Sequence, residues 1–195
     1  MLAASNGHKE VAQMLIENSA SADARDSRQR TALMCAASCG HTHVAQMLIK
    51  SSASVDATDR HQKTALIWAA INEHTEVAQM LIENRASVDA TDSHQQTALM
   101  KAASYGHTEF VQLLVENRAG VDAVDSAQQT ALMLAADNGH TQIAQILIEN
   151  NCSIYARDSD QETALTHAAS NGHTEIAQML IENGASVDAT VSYQR

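Results

Sequence analysis

The triplet Thr-Ala-Leu begins at Thr31, Thr64, Thr97, Thr130 and Thr163, a step of 33 residues each time. Histidine keeps the same step at His8, His41, His74, His107, His140 and His173. No insertion or deletion breaks the register. A fixed period of this length means that the chain is made of copies of one supersecondary unit, which cannot bury its apolar face alone. Stacking the copies in register merges those faces into one continuous core. Five full units (31–63, 64–96, 97–129, 130–162 and 163–195) follow a partial one over 1–30, so residues 1–195 read as a single repeat domain.

Each unit reads as two short helices and an extended finger. In the copy from Thr64, the threonine hydroxyl is placed to cap a first helix through Ala65, Leu66, Ile67, Ala69 and Ala70. Gly40, Gly106, Gly139 and Gly172 supply the left-handed stop in sister units. A second helix begins near Thr75, with Val77, Ala78, Met80, Leu81 and Ile82 on one broad apolar face. Asp89 and Asp92 mark the finger turn, where aspartates bond their own backbone. Paired alanines such as Ala69-Ala70 keep the first helix thin, so the stack is expected to curve, with first helices and fingers on the concave side.

This pattern, T-A-L-x-x-A-A-x-x-G-H-T-E-V-A-Q-M-L-I-E-N-x-A-S-V-D-A, resembles the ankyrin repeat, whose mark is T-P-L-H-x-A. The resemblance covers the whole chain. It implies an all-α ankyrin-repeat solenoid with β-hairpin or finger loops, and recognition of protein surfaces. The departures are specific. Ala32, Ala65, Ala98, Ala131 and Ala164 stand where the family has proline. Gln29, Gln62, Gln95, Gln128, Gln161 and Gln194 stand at the family's finger-turn glycine. Ser19, Ser52, Arg85, Arg118 and Asn151 stand at the glycine that follows the second helix, which survives as Gly184. Wherever such a backbone keeps positive φ, it costs on the order of 1 kcal/mol. The preceding Asn18, Asn84, Asn117 and Asn150 tolerate that geometry and offer to take the cap one residue earlier.

A net charge of −11 argues against a general affinity for nucleic acid or anionic membranes. Its distribution is uneven. Residues 1–101 hold 9 Lys/Arg against 11 Asp/Glu, whereas 102–195 hold 3 against 12. No apolar run is long enough to suggest a membrane span, and no signal-peptide pattern opens the chain. Three cysteines without a spaced framework fit a reducing compartment, so the expected location is cytoplasmic or nuclear rather than secreted. The chain begins inside a first helix and stops before the next expected Thr-Ala-Leu, without polar terminal repeats, so end-to-end self-association is expected.

The histidine ladder reads as structural, bonding backbone groups at the helix-to-helix turn. Cys35, Cys39, His41 and His43 have residue types that suit zinc, but their spacing matches no common finger. Cys152 replaces a repeating alanine and reads as a small core residue. The finger aspartates read as turn formers. No catalytic residue, metal ligand or cofactor is therefore expected, and the chain is read as a non-enzyme.

Positions that vary between copies of a fixed frame are the candidates for recognition. On the first helix one column reads Leu2, Cys35, Trp68, Lys101, Leu134 and His167. At 100° per residue it lies about 200° from the core leucine and is expected to face away from the core. Finger tips vary as well, from basic to acidic along the chain. The expected partner-binding residues are Arg28, Arg30, Arg60, His61, Lys63, Trp68, His94, Lys101 and Tyr105, since Trp, Tyr and Arg dominate interface energetics. Drift on a plain solvated face would also vary these positions. The repeating Gln13/Glu17 and Gln79/Glu83 pairs read as a solvated back. The leading expectation is a scaffold that binds a protein, carrying an acidic segment, across the concave side. The alternatives are an architectural array and the recognition part of a larger enzyme or receptor.

Overall fold

The computed structural model describes residues 1–187. The chain divides into two compact units, Met1–Ser93 and His94–Arg195. In the first, α1 (Leu2–Ser5), α3 (Ala32–Ser38) and α5 (Ala65–Ile71) pack as one row, and α2 (Lys9–Glu17), α4 (Thr42–Lys50) and α6 (Thr75–Glu83) as a second. In the second unit, α7 (Ala98–Tyr105), α9 (Ala131–Asn138) and α11 (Ala164–Ser170) form one row. There α8 (Thr108–Glu116), α10 (Thr141–Glu149) and α12 (Thr174–Glu182) form the other. Among the described residues the fold is all-α with finger loops, as the repeat pattern implies.

Each first helix opens where the sequence places its cap. The Thr31, Thr64, Thr97, Thr130 and Thr163 hydroxyls accept from the backbone N–H three residues on, at 3.3–3.4 Å. The paired alanines explain the close row. Ala36, Ala37, Ala69, Ala70, Ala102, Ala103, Ala135 and Ala136 are fully buried, and the larger Leu33, Leu66, Leu99 and Leu132 fill the space between rows. Second helices add Val44, Leu48, Val77 and Leu81 in the first unit and Phe110, Leu114, Ile143 and Leu147 in the second.

The first helices end in the left-handed region, at Gly40 (φ 73°) and Gly139 (φ 75°) for example. Glycine is required there twice over. A Cβ on Gly40 would come within 2.7 Å of the His74 ring, and one on Gly139 within 2.6 Å of His173. The ring fills that gap because its Nε2 reaches a carbonyl of the preceding repeat: His41 to Ser5 (3.0 Å), His74 to Ser38 (3.2 Å), His140 to Ser104 and His173 to Asp137 (both 3.1 Å). A carbonyl only accepts, so Nε2 carries the proton and donates. These histidines join repeats within each unit.

The non-glycine residues at the family's glycine positions do hold positive φ. Gln29, Gln62, Gln95, Gln128 and Gln161 lie at 60–63°, and Ser19, Ser52, Arg85, Arg118 and Asn151 at 60–66°. Gln194 lies outside the described residues. The asparagines do not move the cap, contrary to the sequence expectation. Asn18, Asn84, Asn117 and Asn150 keep φ near −90° to −95°. Each instead donates from its amide to the carbonyl four residues earlier at 2.8 Å, satisfying an orphan group of the last turn.

Candidate functional site

Each finger folds around an aspartate. Asp59 Oδ1 accepts from the backbone N–H of His61 (2.8 Å) and Lys63 (3.0 Å), and Asp26, Asp125 and Asp158 do the same in their own turns. These are the turn formers that the sequence predicts. The companion aspartate behaves differently. Asp56 Oδ1 accepts from Ser87 N–H (3.0 Å) and Asp23 Oδ1 from Ser54 N–H (2.9 Å), so this residue clips one repeat to the next. Backbone bonds tie finger to finger: Arg60 N–H to the Arg28 carbonyl (3.1 Å) and Ser126 N–H to the His94 carbonyl (2.9 Å).

The varying column on the first helix does not face open solvent as expected. Cys35, Leu134 and His167 are buried, and Trp68 and Lys101 are half-buried, whereas Leu2 is 81% exposed. The finger folds back over the helix and covers the column. Trp68 shows the consequence: its indole N–H donates to Asp59 Oδ2 at 3.2 Å, and the Lys63 ammonium lies 4.7 Å from its ring. The second oxygen of the finger aspartate is met elsewhere by Arg30 (to Asp26, 2.9 Å), Gln96 (to Asp125, 2.9 Å) and His167 (to Asp158, 3.0 Å). Much of the variation is thus a change of partner for one aspartate. The Arg30 backbone N–H, ahead of its guanidinium, holds the Asp26 carboxyl below the usual range, and the hydrogen bond to Asp26 raises the Arg30 guanidinium in turn.

The expected recognition residues sort by unit. In the first, Arg28, Arg60 and His61 are exposed at neighbouring finger tips, and the Arg60 Nε–H donates to His61 Nε2 at 3.0 Å. Arg30, Lys63 and Trp68 are half-buried in the contacts just given. In the second unit His94 and Tyr105 are exposed, Lys101 donates to Gln96, and Tyr105 stacks on His107 with centroids 5.9 Å apart. The back is as expected: Gln13, Gln79, Gln112, Gln145 and Gln178 each donate to the glutamate four residues on, at 2.7–2.9 Å.

Cys35, Cys39, His41 and His43 do not converge. Cys35 is buried, Cys39 exposed, and His41 is committed to the Ser5 carbonyl. Cys152 is buried at its alanine position, and burial pushes its thiol up to about 12. Among the described residues one group of three ligating side chains does converge: Asp158, Glu162 and His167. The sequence does not show it directly, because the finger aspartates read as turn formers and a helical projection turns His167 outward.

A family model for ankyrin repeats matches the chain in three overlapping copies, over residues 1–92, 51–125 and 99–191. No curated protein matches it. Ankyrin repeats generally serve as protein-interaction modules and typically form non-enzymatic domains.

Proposed function

The chain belongs to the ankyrin-repeat family, and from that premise we propose that it is a protein-interaction scaffold whose partner docks on the finger tips and first-helix side. The observation that carries this reading is the exposed basic edge of the first unit. Arg28 and Arg60 stand on adjacent, backbone-bonded fingers, and His61 lies beside Arg60. Cations held on a rigid edge, in the less acidic part of an acidic chain, suit a partner with an acidic segment. Such a charge pattern raises the association rate and selects orientation more than it raises affinity. Lys63 and Trp68, packed behind the tips, support an apolar anchor of the partner at the finger base. Within the second unit, taken by itself, His94, Lys101 and Tyr105 support the same kind of reading, each with its own local contacts.

The scaffold needs no catalytic group or cofactor in this reading, takes neither nucleic acid nor membrane as its partner, and works in the cytoplasm or nucleus. A panel of acidic peptides carrying one apolar residue tests it, with the single Trp68 as the fluorescent reporter. Replacing Arg28 and Arg60 by glutamate should slow association about tenfold and flatten its salt dependence. Replacing Glu83 and Glu116 by lysine on the back should change little. Equal loss from both pairs, or none from either, contradicts the reading.

A second reading, self-association, is favoured by one observation. Leu2, Val11, Met14 and Leu15 form an exposed apolar group on α1 and α2. Sedimentation should then depend on concentration, and Leu2→Lys with Met14→Lys should abolish that dependence.

A further inference from the structure

The repeats differ in what meets the second oxygen of the finger aspartate. In the first unit the partner is a guanidinium at Asp26 and an indole N–H at Asp59. At Asp158 it is an imidazole, and two more carboxylates gather around the same ring. His167 Nε2 lies 3.0 Å from Asp158 Oδ2 and 4.0 Å from Glu162 Oε2, while Nδ1 lies 3.3 Å from Asp137 Oδ1. The Asp158 and His167 side chains are only 5% and 10% exposed. Among the described residues, no lysine or arginine lies within ion-pair distance of these three carboxylates, and His167 is the one basic side chain they meet. Asp158 is buried with the ring, whereas Glu162 and Asp137 approach it from the solvent side at 30% and 45% exposure.

We propose that Asp158, Glu162 and His167 bind one Zn²⁺ ion that ties the finger to α11, with Asp137 as the residue that positions the imidazole. The donor set is one imidazole nitrogen and two carboxylate oxygens, which suits zinc. Zinc takes such atoms at about 2.0–2.2 Å, so ligand atoms around a tetrahedral ion stand about 3.4 Å apart. The observed 3.0 and 4.0 Å bracket that value, and the three ligand atoms all lie within 4.8 Å of one another. Small rotations of Asp158 and Glu162 admit the ion. Glu162, at 30% exposure, opens the site to solvent, and water completes the coordination. Asp137 meets the other ring nitrogen, the place taken by the outer-shell partner of a metal-bound imidazole. With Nε2 on zinc, Nδ1–H donates to Asp137 Oδ1, the carboxylate–histidine–metal arrangement that orients bound imidazole. Asp137 is itself steadied by the Asn171 amide at 2.9 Å.

The test is calorimetric titration of the full chain with Zn²⁺, with Co²⁺ as a visible-absorption probe. A Cys39→Ser background keeps the exposed thiol out of the signal. One ion should bind, and Co²⁺ should give ligand-field bands. Glu162→Gln should weaken binding roughly tenfold or more, and Asp137→Asn by roughly 10- to 100-fold. Both changes are isosteric at partly exposed side chains, so the fold is retained, as the helical circular dichroism should show. Absence of Co²⁺ bands, or Zn²⁺ binding indifferent to Glu162→Gln, overturns the proposal and leaves the cluster as a histidine hydrogen-bonded among carboxylates.

Discussion

Gln29, Gln62, Gln128 and Gln161 occupy the left-handed region at φ 60–63°, each exposed at the turn of a finger. Among the described residues none of their side chains makes a hydrogen bond, so replacing them with glycine relieves the strain without breaking one. An L-residue in this region costs about 1–2 kcal/mol. Glycine gives back about 0.5–1 kcal/mol through the greater freedom of its unfolded chain. The net gain is about 0.5–1 kcal/mol per site. For four sites in separate fingers the gains add to about 2–4 kcal/mol. Urea unfolding followed by far-ultraviolet circular dichroism measures it: the midpoint should rise while the slope stays constant. Gln79→Gly, in the middle of α6, is the opposing control. It should cost about 1 kcal/mol and also loses the 2.8 Å bond to Glu83. If the fourfold variant shifts in the direction of that control, the turns do not store the strain assigned to them.

Trp68→Phe keeps the packing but leaves a buried Asp59 oxygen without its donor, so unfolding stability should fall by about 1–3 kcal/mol. An unchanged midpoint would show that water replaces the indole N–H. Thr97→Ala removes the cap of α7 and should cost about 1 kcal/mol by the same measurement. Cys39 should alkylate readily in the folded chain, while Cys35 and Cys152 react only on unfolding, as mass spectrometry of the labelled protein would reveal. Because the folded Cys152 thiol is raised to about 12, its contribution is complete below the unfolded value near ~8.5 and is lost as pH rises through that window. Cys152→Ala should therefore blunt the alkaline loss of stability.

The period alone carried most of the fold, because an uninterrupted step of 33 residues leaves one way to bury so many short helices. Thr64 and its counterparts, the histidine bonds between repeats and the strained glutamines were also legible, since each depends on local backbone needs that recur in every copy. The orientation of Trp68, Leu134 and His167 was not. A helical projection gives the direction of a side chain from its own axis, and it cannot show a finger folding back over that side. Nor could it show that Asp56 bonds the next repeat while Asp59 bonds its own turn, although the two are three residues apart. The gathering of Asp137, Asp158 and Glu162 around His167 joins one finger to two helices. Its signal was present in the residue types, and the fixed turn role given to Asp158 concealed it.

The most direct test of the scaffold reading is a hydrogen-exchange footprint of a bound acidic peptide on the full chain. The account predicts slowed exchange at the finger tips around Arg28 and Arg60 and unchanged exchange along α2, α4 and α6. Protection confined to those second helices, with the tips unaffected, would contradict it.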